Sequence, residues 1–417
     1  MKNSFQPIEE NKRTAIVDIL RGWALLGVVL GNYSDFFHIG LPTSANDNSS
    51  LSHILGAVNE IFFSAKSWTL LTILFGYGFA VLINNVTNKG KNPVFFFSWR
   101  MILLFGFAFI DSAFWLGDIL KDYAFLGLVL LLFYKSSTKK ILITSLLLFL
   151  MIPFIAAYIN NIKMVYPEIS TSSDYLKLYY SGNWFDFFEF NLLASYYEQM
   201  IVLGYAITAH IVMFACMLLG FYAQKINFFN RLYELKKQLK TALFISLFTA
   251  LSLGVFLKIA MANKLTFFTY FNPFYWLILS TMLFIATGIC LLYSNNKLKT
   301  IFNYFRVSGK MTLTNYMTQN ILAAFIFSGI GLNISNSMPY WFYFTLAVSV
   351  FVIQLFISKW WLSKYNYGPV EWLWRVLSYR KLFPFKKAEK RNHLVEENSN
   401  NDQKKESALE TVKHKFS

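Results

Sequence analysis

Runs of about twenty apolar residues recur along the chain, the length an α-helix needs to cross a hydrocarbon core of ~30 Å. Ten such runs fall near 15–37, 62–84, 96–116, 118–134, 139–159, 197–223, 241–262, 270–293, 311–332 and 339–362. The pattern predicts an all-α, polytopic membrane bundle of about ten helices, the short fourth run pairing with the third as a hairpin that turns at Gly117. A Ser/Asn-rich outer loop without Lys or Arg joins the first two runs, over about 39–52. The longest loop between runs covers about 160–195 and contains NWFDFFEF. There Trp184, Phe185 and Phe188 interleave with Asp186 and Glu189, a pattern for a helix lying in the outer interface. A lid over an outward cavity is the functional alternative for that segment. After Tyr379 the apolar runs end and Lys, Arg and acids dominate. The division expected is a short N-terminal segment (1–14), a transmembrane domain (15–379) and a disordered basic tail (380–417). The stretch Arg380 to Arg391 could touch anionic headgroups.

Polar residues inside the apolar runs mark where chemistry could sit. Asp18 and Arg21 lie within AIVDILRGWALLGVVL, where a charge at mid-membrane costs roughly 2.5–3.5 kcal/mol on insertion scales unless it is paired or used. Their i, i+3 spacing puts them on one helix face, and Asn32 falls near that face. A structural ion pair locking two helices is the alternative to a functional one. By the order of the runs, an outer layer gathers Asn32, Asp35, His38, Lys66, Asp111, Asp118, Lys121 and Asp122. An inner layer gathers Asp18, Arg21, Thr312, Asn315, Tyr316 and Gln319, with Glu371 and Arg375 beyond the last run and His210 near mid-depth. Asn315 and Gln319 at i, i+4 form a stripe that suits interhelical hydrogen bonding. Gly76 and Gly78 in ILFGYGFA lack the context of a dinucleotide loop and suit close helix packing.

Composition narrows the class. The chain is 56% hydrophobic with 45 Phe among 417 residues, which no water-facing surface could carry. The net charge of +16 invites a nucleic-acid reading, but eighteen Lys and Arg fall in the expected inner segments and five in the outer ones. That is the positive-inside bias, and ten spans then put both termini in the cytoplasm of a multi-pass protein of the bacterial inner membrane, with no nucleic-acid partner. The start MKNSFQPIEENKR is too acidic for a signal peptide, so the first run reads as a retained anchor. Cys216 and Cys290 lie within runs and the five His show no ligand spacing, so neither a disulfide framework, a metal nor a bound cofactor is expected.

DILRGWALLGVVLGN, LLTILFGYGFAV, GDILKDYAFLG, SGKMTLTNYMTQN and YNYGPVEWLWRVLSY carry a resemblance. Over about residues 13 to 380 the chain resembles the YeiB-like family of bacterial inner-membrane proteins, filed as domain of unknown function 418. Its opening helix is more distantly similar to that of transmembrane acyltransferases that modify glycans. The resemblance implies motif positions at Asp18, Arg21, Gly22, Asn32, Gly117, Asp118, Asn315, Tyr316 and Gln319, and at Gly368, Pro369, Glu371, Trp372 and Arg375. Family members often carry a His shortly before G-D-I-L, where this chain reads Phe109-Ile110-Asp111. Three functions remain open: an acyltransferase moving an acyl group from a donor such as acyl-CoA to an envelope glycan or lipid, a proton-coupled transporter or lipid flippase, and a non-catalytic scaffold. For the first, His38 is the leading base, His210 the second, and Asp111 and Asp118 the remaining acids or bases. Partners beyond the bilayer and such a substrate are open, as is the oligomeric state.

Overall fold

The computed structural model describes residues 14–36, 49–162, 169–335 and 338–387. Among them the fold is all-α. The N-terminal half runs α1 (Ala15–Gly31), α2 (Ser50–Phe62), α3 (Lys66–Asn88), α4 (Pro93–Phe114), α5 (Leu120–Leu130), α6 (Thr138–Asn161), α7 (Ser173–Tyr180) and α8 (Trp184–Leu192). It continues as α9 (Leu203–Lys225), α10 (Lys236–Ala262), α11 (Phe274–Ser294), α12 (Lys299–Lys310), α13 (Thr312–Phe327), α14 (Tyr340–Lys364) and α15 (Pro369–Tyr379). Two π-helical stretches, Asn32–Phe36 and Leu193–Ile201, extend α1 and α8.

Among the described residues, eight helical stretches are long and apolar enough to cross a membrane: Ala15–Ser34, Ser50–Asn88, Pro93–Phe114, Thr138–Asn161, Ile207–Lys225, Lys236–Ala262, Phe274–Ser294 and Tyr340–Lys364. The second is two helices, because Ala65 takes a left-handed conformation (φ 56°) between α2 and α3. The fourth and ninth expected runs are the shorter helices α5 and α13, most of whose residues are buried by protein. Helices buried that way need not match the bilayer's thickness.

Close backbone contacts set the centre of the bundle. α1 lies against α12, where a Cβ at Gly22 would stand 2.0 Å from the Phe305 carbonyl oxygen and one at Gly309 1.8 Å from that of Asp18. α3 lies as near to α9 at Gly76, packed on the Met217 carbonyl, so helix packing accounts for this glycine. α10 forms the rim, turning Phe244, Ile245, Phe248, Leu251 and Val255 outward. Pro153 within α6 cannot donate to the Phe149 carbonyl one turn back. The indole of Trp276 on α11 donates to it instead, at 2.7 Å.

The short connections bring the lysine-rich segments to one end. There Lys225 Nζ donates to the Ser136 carbonyl at 3.1 Å, Thr14 bonds Asn230, and Trp99 Nε1 donates to Leu377 on α15. Past Tyr379, residues 380–387 fold back, Phe385 packing beside Tyr365 and Trp372, with a β-bridge between Tyr365 and Lys386. Burial of aromatic surface outweighs the polar composition there.

Candidate functional site

Fully buried charged side chains gather where α4 gives way to α5. Asp111 lies in the last turn of α4, and Asp118, Lys121 and Asp122 follow within GDILKDYAFLG; all four are 0% exposed. The turn itself orients them. Asp118 accepts from the Leu120 and Lys121 N–H groups at 3.0 and 3.1 Å, satisfying donors that the first turn of α5 leaves open. Lys121 and Asp122 then project from that same turn. Lys121 Nζ donates to the Asp118 carbonyl and, at 3.0 Å, to Gln199 Oε1.

Two limbs extend from the turn. On one, Asp111 Oδ2 accepts from Asn320 Nδ2 at 2.7 Å, and Asn320 in turn accepts from Asn32 Nδ2 at 3.2 Å. The Asp111 and Asp118 carboxyl groups face one another. The Tyr316 hydroxyl accepts from the Ile119 N–H at 3.1 Å and donates to Asp118 Oδ1 at 3.4 Å. Ser195 donates to Ser112 at 3.2 Å, and Ser112 to Asp118 Oδ2 at 3.4 Å. On the other limb, His210 Nε2 of α9 is 2.8 Å from Asp122 Oδ1. Both π-helical stretches border this cluster, one supplying Asn32 and the other Ser195 and Gln199. Such bulges recur at functional sites because they break the regular placement of side chains.

Two carboxylate oxygens, Asp111 Oδ1 and Asp122 Oδ2, accept no hydrogen bond from the described residues. Three carboxyl groups face one ammonium and one imidazole, so the fully ionised cluster holds surplus negative charge away from water. A buried surplus of that kind is neutralised by protons or by a cation.

The expected layers are redrawn. Tyr316, placed in the inner layer, joins the acid cluster. His210 sits about 10 Å of helix from Leu203 and about 22 Å from Lys225, nearer the cluster's end than mid-depth. Lys66 stays apart, its ammonium on the Glu60 carbonyl that closes α2. His38 lies outside the described residues, as does the Asp35 side chain. Asp18 pairs with Arg21 at 3.4 Å, Arg21 also donates to the Leu74 carbonyl, and Gly78 leaves room for that guanidinium. The pair is remote from the acids and joins α1 to α3.

Asn315 and Gln319 bind α13 to α14: Asn315 Nδ2 donates to Ser358 at 3.0 Å and Gln319 Nε2 to Gln354 Oε1 at 2.6 Å. Thr312 caps locally on the Gly309 carbonyl. Glu371 accepts from the Leu313 and Thr314 N–H groups, and Arg375 lies over the Tyr367 ring at 4.3 Å. NWFDFFEF is half-buried, with Phe187 and Phe190 packed against Tyr179 while Phe185 points outward. Asn320, Ser112, Ser195 and Gln199 escaped the sequence reading, although Asn320 stands beside Gln319 at the end of the polar stretch TLTNYMTQN.

Residues 223–381, which include Tyr316, Asn320 and Glu371, match the family described as "Protein of unknown function (DUF418)". Across nearly the whole chain, it is 29% identical to "Uncharacterized protein YxaH" of Bacillus subtilis (strain 168), covering 93% of this chain and 100% of that protein. It is 24% identical to "Uncharacterized protein YeiB" of Escherichia coli (strain K12), covering 89% and 98%. The chain is thus similar to the DUF418 family model in its C-terminal part and to the YxaH and YeiB proteins over most of its length. A third relative, the "Uncharacterized 39.9 kDa protein in amylase 3'region" of Bacillus acidopullulyticus, is 28% identical over 91% of this chain and 97% of its own length. No solved structure matches the chain. The match to the family takes in both C-terminal motifs, whose geometric link is the Glu371 carboxylate at the start of α13. The Asp111–Asp122 turn and His210 precede it.

Proposed function

We propose that this membrane protein is an acyltransferase, moving an acyl group from a thioester donor such as acyl-CoA to a hydroxyl of an envelope glycan or lipid. The observation that carries this reading is the 2.8 Å contact between His210 and Asp122, whose side chains are 13% and 1% exposed. Asp122 fixes the orientation of the imidazole and steadies the imidazolium once a proton arrives. The His210 imidazole takes the proton of the acceptor hydroxyl as its oxygen attacks the acyl carbonyl. The C–S bond then breaks, and the imidazolium returns the proton to the departing thiolate.

The surplus of buried carboxyl groups supports a second reading, a proton-coupled transporter in which Asp111 and Asp118 carry the proton. One experiment separates the two. Envelope glycans and lipids from a deletion strain, complemented with the wild-type chain, His210→Ala or Asp122→Asn, are profiled for acyl esters by mass spectrometry. The enzyme reading expects an ester that is lost on deletion, restored by the wild-type chain, and reduced about 10²–10⁴-fold in rate of formation by His210→Ala at equal protein level. An unchanged ester profile, together with proton uptake by reconstituted vesicles that Asp118→Asn abolishes, would replace it with transport.

A further inference from the structure

At the lysine-rich end of the bundle, away from the acid cluster, a cavity of about 190 Å³ opens between α12, the end of α14 and the folded-back residues 382–387. Three lysines line it: Lys310 from α12, Lys359 from α14 and Lys387 from the returning chain. Ser363 and Asn366 add polar atoms, and among the described residues no Asp or Glu lines it. The walls are fixed by bonds of their own. Lys387 Nζ donates to the Leu362 carbonyl at 2.6 Å, and Lys359 Nζ donates to the Tyr304 hydroxyl at 3.1 Å while lying 4.5 Å from the Tyr304 ring centre. Asn366 Nδ2 donates to the Pro384 and Lys386 carbonyls at 3.0 Å each, which pins the returning chain across the cavity.

Charge alone would suit any anion, but the surroundings are those of a lipid. The cavity sits at the level of an aromatic cluster, Trp360, Trp361 and Tyr365, of the kind that gathers at membrane–water boundaries. From it an exposed apolar stripe runs back along α14 through Trp360, Ile357, Phe356 and Ile353, all 50% exposed or more. Those positions recur at i, i+3, i+4 and i+7 and so share one face. A cationic pocket opening on an apolar helix face has the two-part shape of an anionic phospholipid, and basic pockets between membrane helices hold such headgroups.

We infer that the Lys310–Lys359–Lys387 cavity binds the phosphodiester headgroup of an anionic phospholipid whose acyl chains lie along the Ile353–Trp360 face of α14. The ammonium groups neutralise the phosphate, and the returning segment acts as the outer wall that keeps the headgroup in register.

The full chain, reconstituted in phosphatidylcholine vesicles containing a small fraction of phosphatidylglycerol, is extracted and its retained lipids weighed by native mass spectrometry. Phosphatidylglycerol should be enriched over phosphatidylcholine. Lys310→Gln, Lys359→Gln and Lys387→Gln together should lower that enrichment about 100-fold, following roughly fivefold per lysine. The corresponding triple change to Arg should retain it, which shows that the chain is folded and the charge is what matters. Lys135→Gln, Lys139→Gln and Lys140→Gln, in another basic segment of the same end, should leave it unchanged. Equal loss from both glutamine sets would reduce the effect to general attraction and overturn the site. Displacement of the lipid by millimolar inorganic phosphate would make it a free-anion site and overturn the lipid assignment, as would undiminished enrichment in the first glutamine variant.

Discussion

The first turn of α13 presents backbone N–H groups that no carbonyl of its own helix can accept. Glu371 supplies the acceptor, taking Leu313 N–H at 2.7 Å and Thr314 N–H at 3.0 Å on one oxygen and the Thr314 hydroxyl on the other. Val370 N–H donates back to Thr314 Oγ1 at 3.1 Å. This is why SGKMTLTN and GPVEW, nearly sixty residues apart, act as one unit. Glu371→Ala strands those donors and should cost about 1–3 kcal/mol of stability, whereas Glu371→Gln keeps an acceptor and should cost less. Burial pushes the Glu371 carboxyl above its ordinary value, with the Thr314 hydrogen bonds working against it. The folded state therefore favours the protonated acid. Its contribution is full at low pH and is lost as pH rises through the raised value. The melting temperature of the wild-type chain relative to Glu371→Gln should accordingly fall as pH rises. A gap that widens instead would mean that the ionised carboxylate is the form the fold prefers.

At the scale of elements, packing of α1 on α12 depends on missing side chains rather than on apolar ones. A Cβ at Gly309 would stand 1.8 Å from the Asp18 carbonyl oxygen, which is backbone and cannot swing away. Gly309→Ala should force the helices apart and cost about 1–3 kcal/mol or more, read as a lower melting temperature in detergent. Gly106→Ala, with nothing within 4 Å of the new carbon, is the control and should stay near wild type. The long spans were legible in the sequence because lipid demands a length, and α1, α4, α6, α10, α11 and α14 lie close to the expected runs. α5 and α13 were legible as apolar segments but not as short ones, since protein rather than lipid covers them. The acids of the α4–α5 turn stood out for the same reason, as charges in apolar surroundings. That Asp122 meets His210, 88 residues away, could not be read there, because one chain's pattern shows which face is polar and not which polar face it meets. The bridging Ser112 and Ser195 carry no signal at all, as serines are common on membrane helices and usually bond to their own carbonyls.

For the whole molecule, the separation of charge along the bundle axis implies an orientation. Lys and Arg crowd the end where α3, α9 and α14 finish and α10 and α12 begin, while the Asp111–Asp122 cluster and the turn that holds it face the other way. Membrane insertion retains Lys- and Arg-rich short loops on the cytoplasmic side. The lysine cavity should therefore meet the inner leaflet, which is also the leaflet whose anionic lipids attract basic segments, and the His210–Asp122 pair should open toward the outer half of the membrane. In the proposed reaction a glycan or lipid hydroxyl would approach His210 from the outer side, and the thioester would have to reach it through the bundle from the cytoplasmic side, where Arg21, Lys225 and α15 lie. A reporter active only in the cytoplasm, fused to the C-terminal end of the chain, should be active, and the same reporter inserted near Ser44 should be silent. The opposite pair of results would turn the bundle over. The acid cluster would then face the cytoplasm, the lysine cavity would lie in the leaflet poorer in anionic lipid, and an outward acceptor could no longer reach His210 without crossing the bilayer.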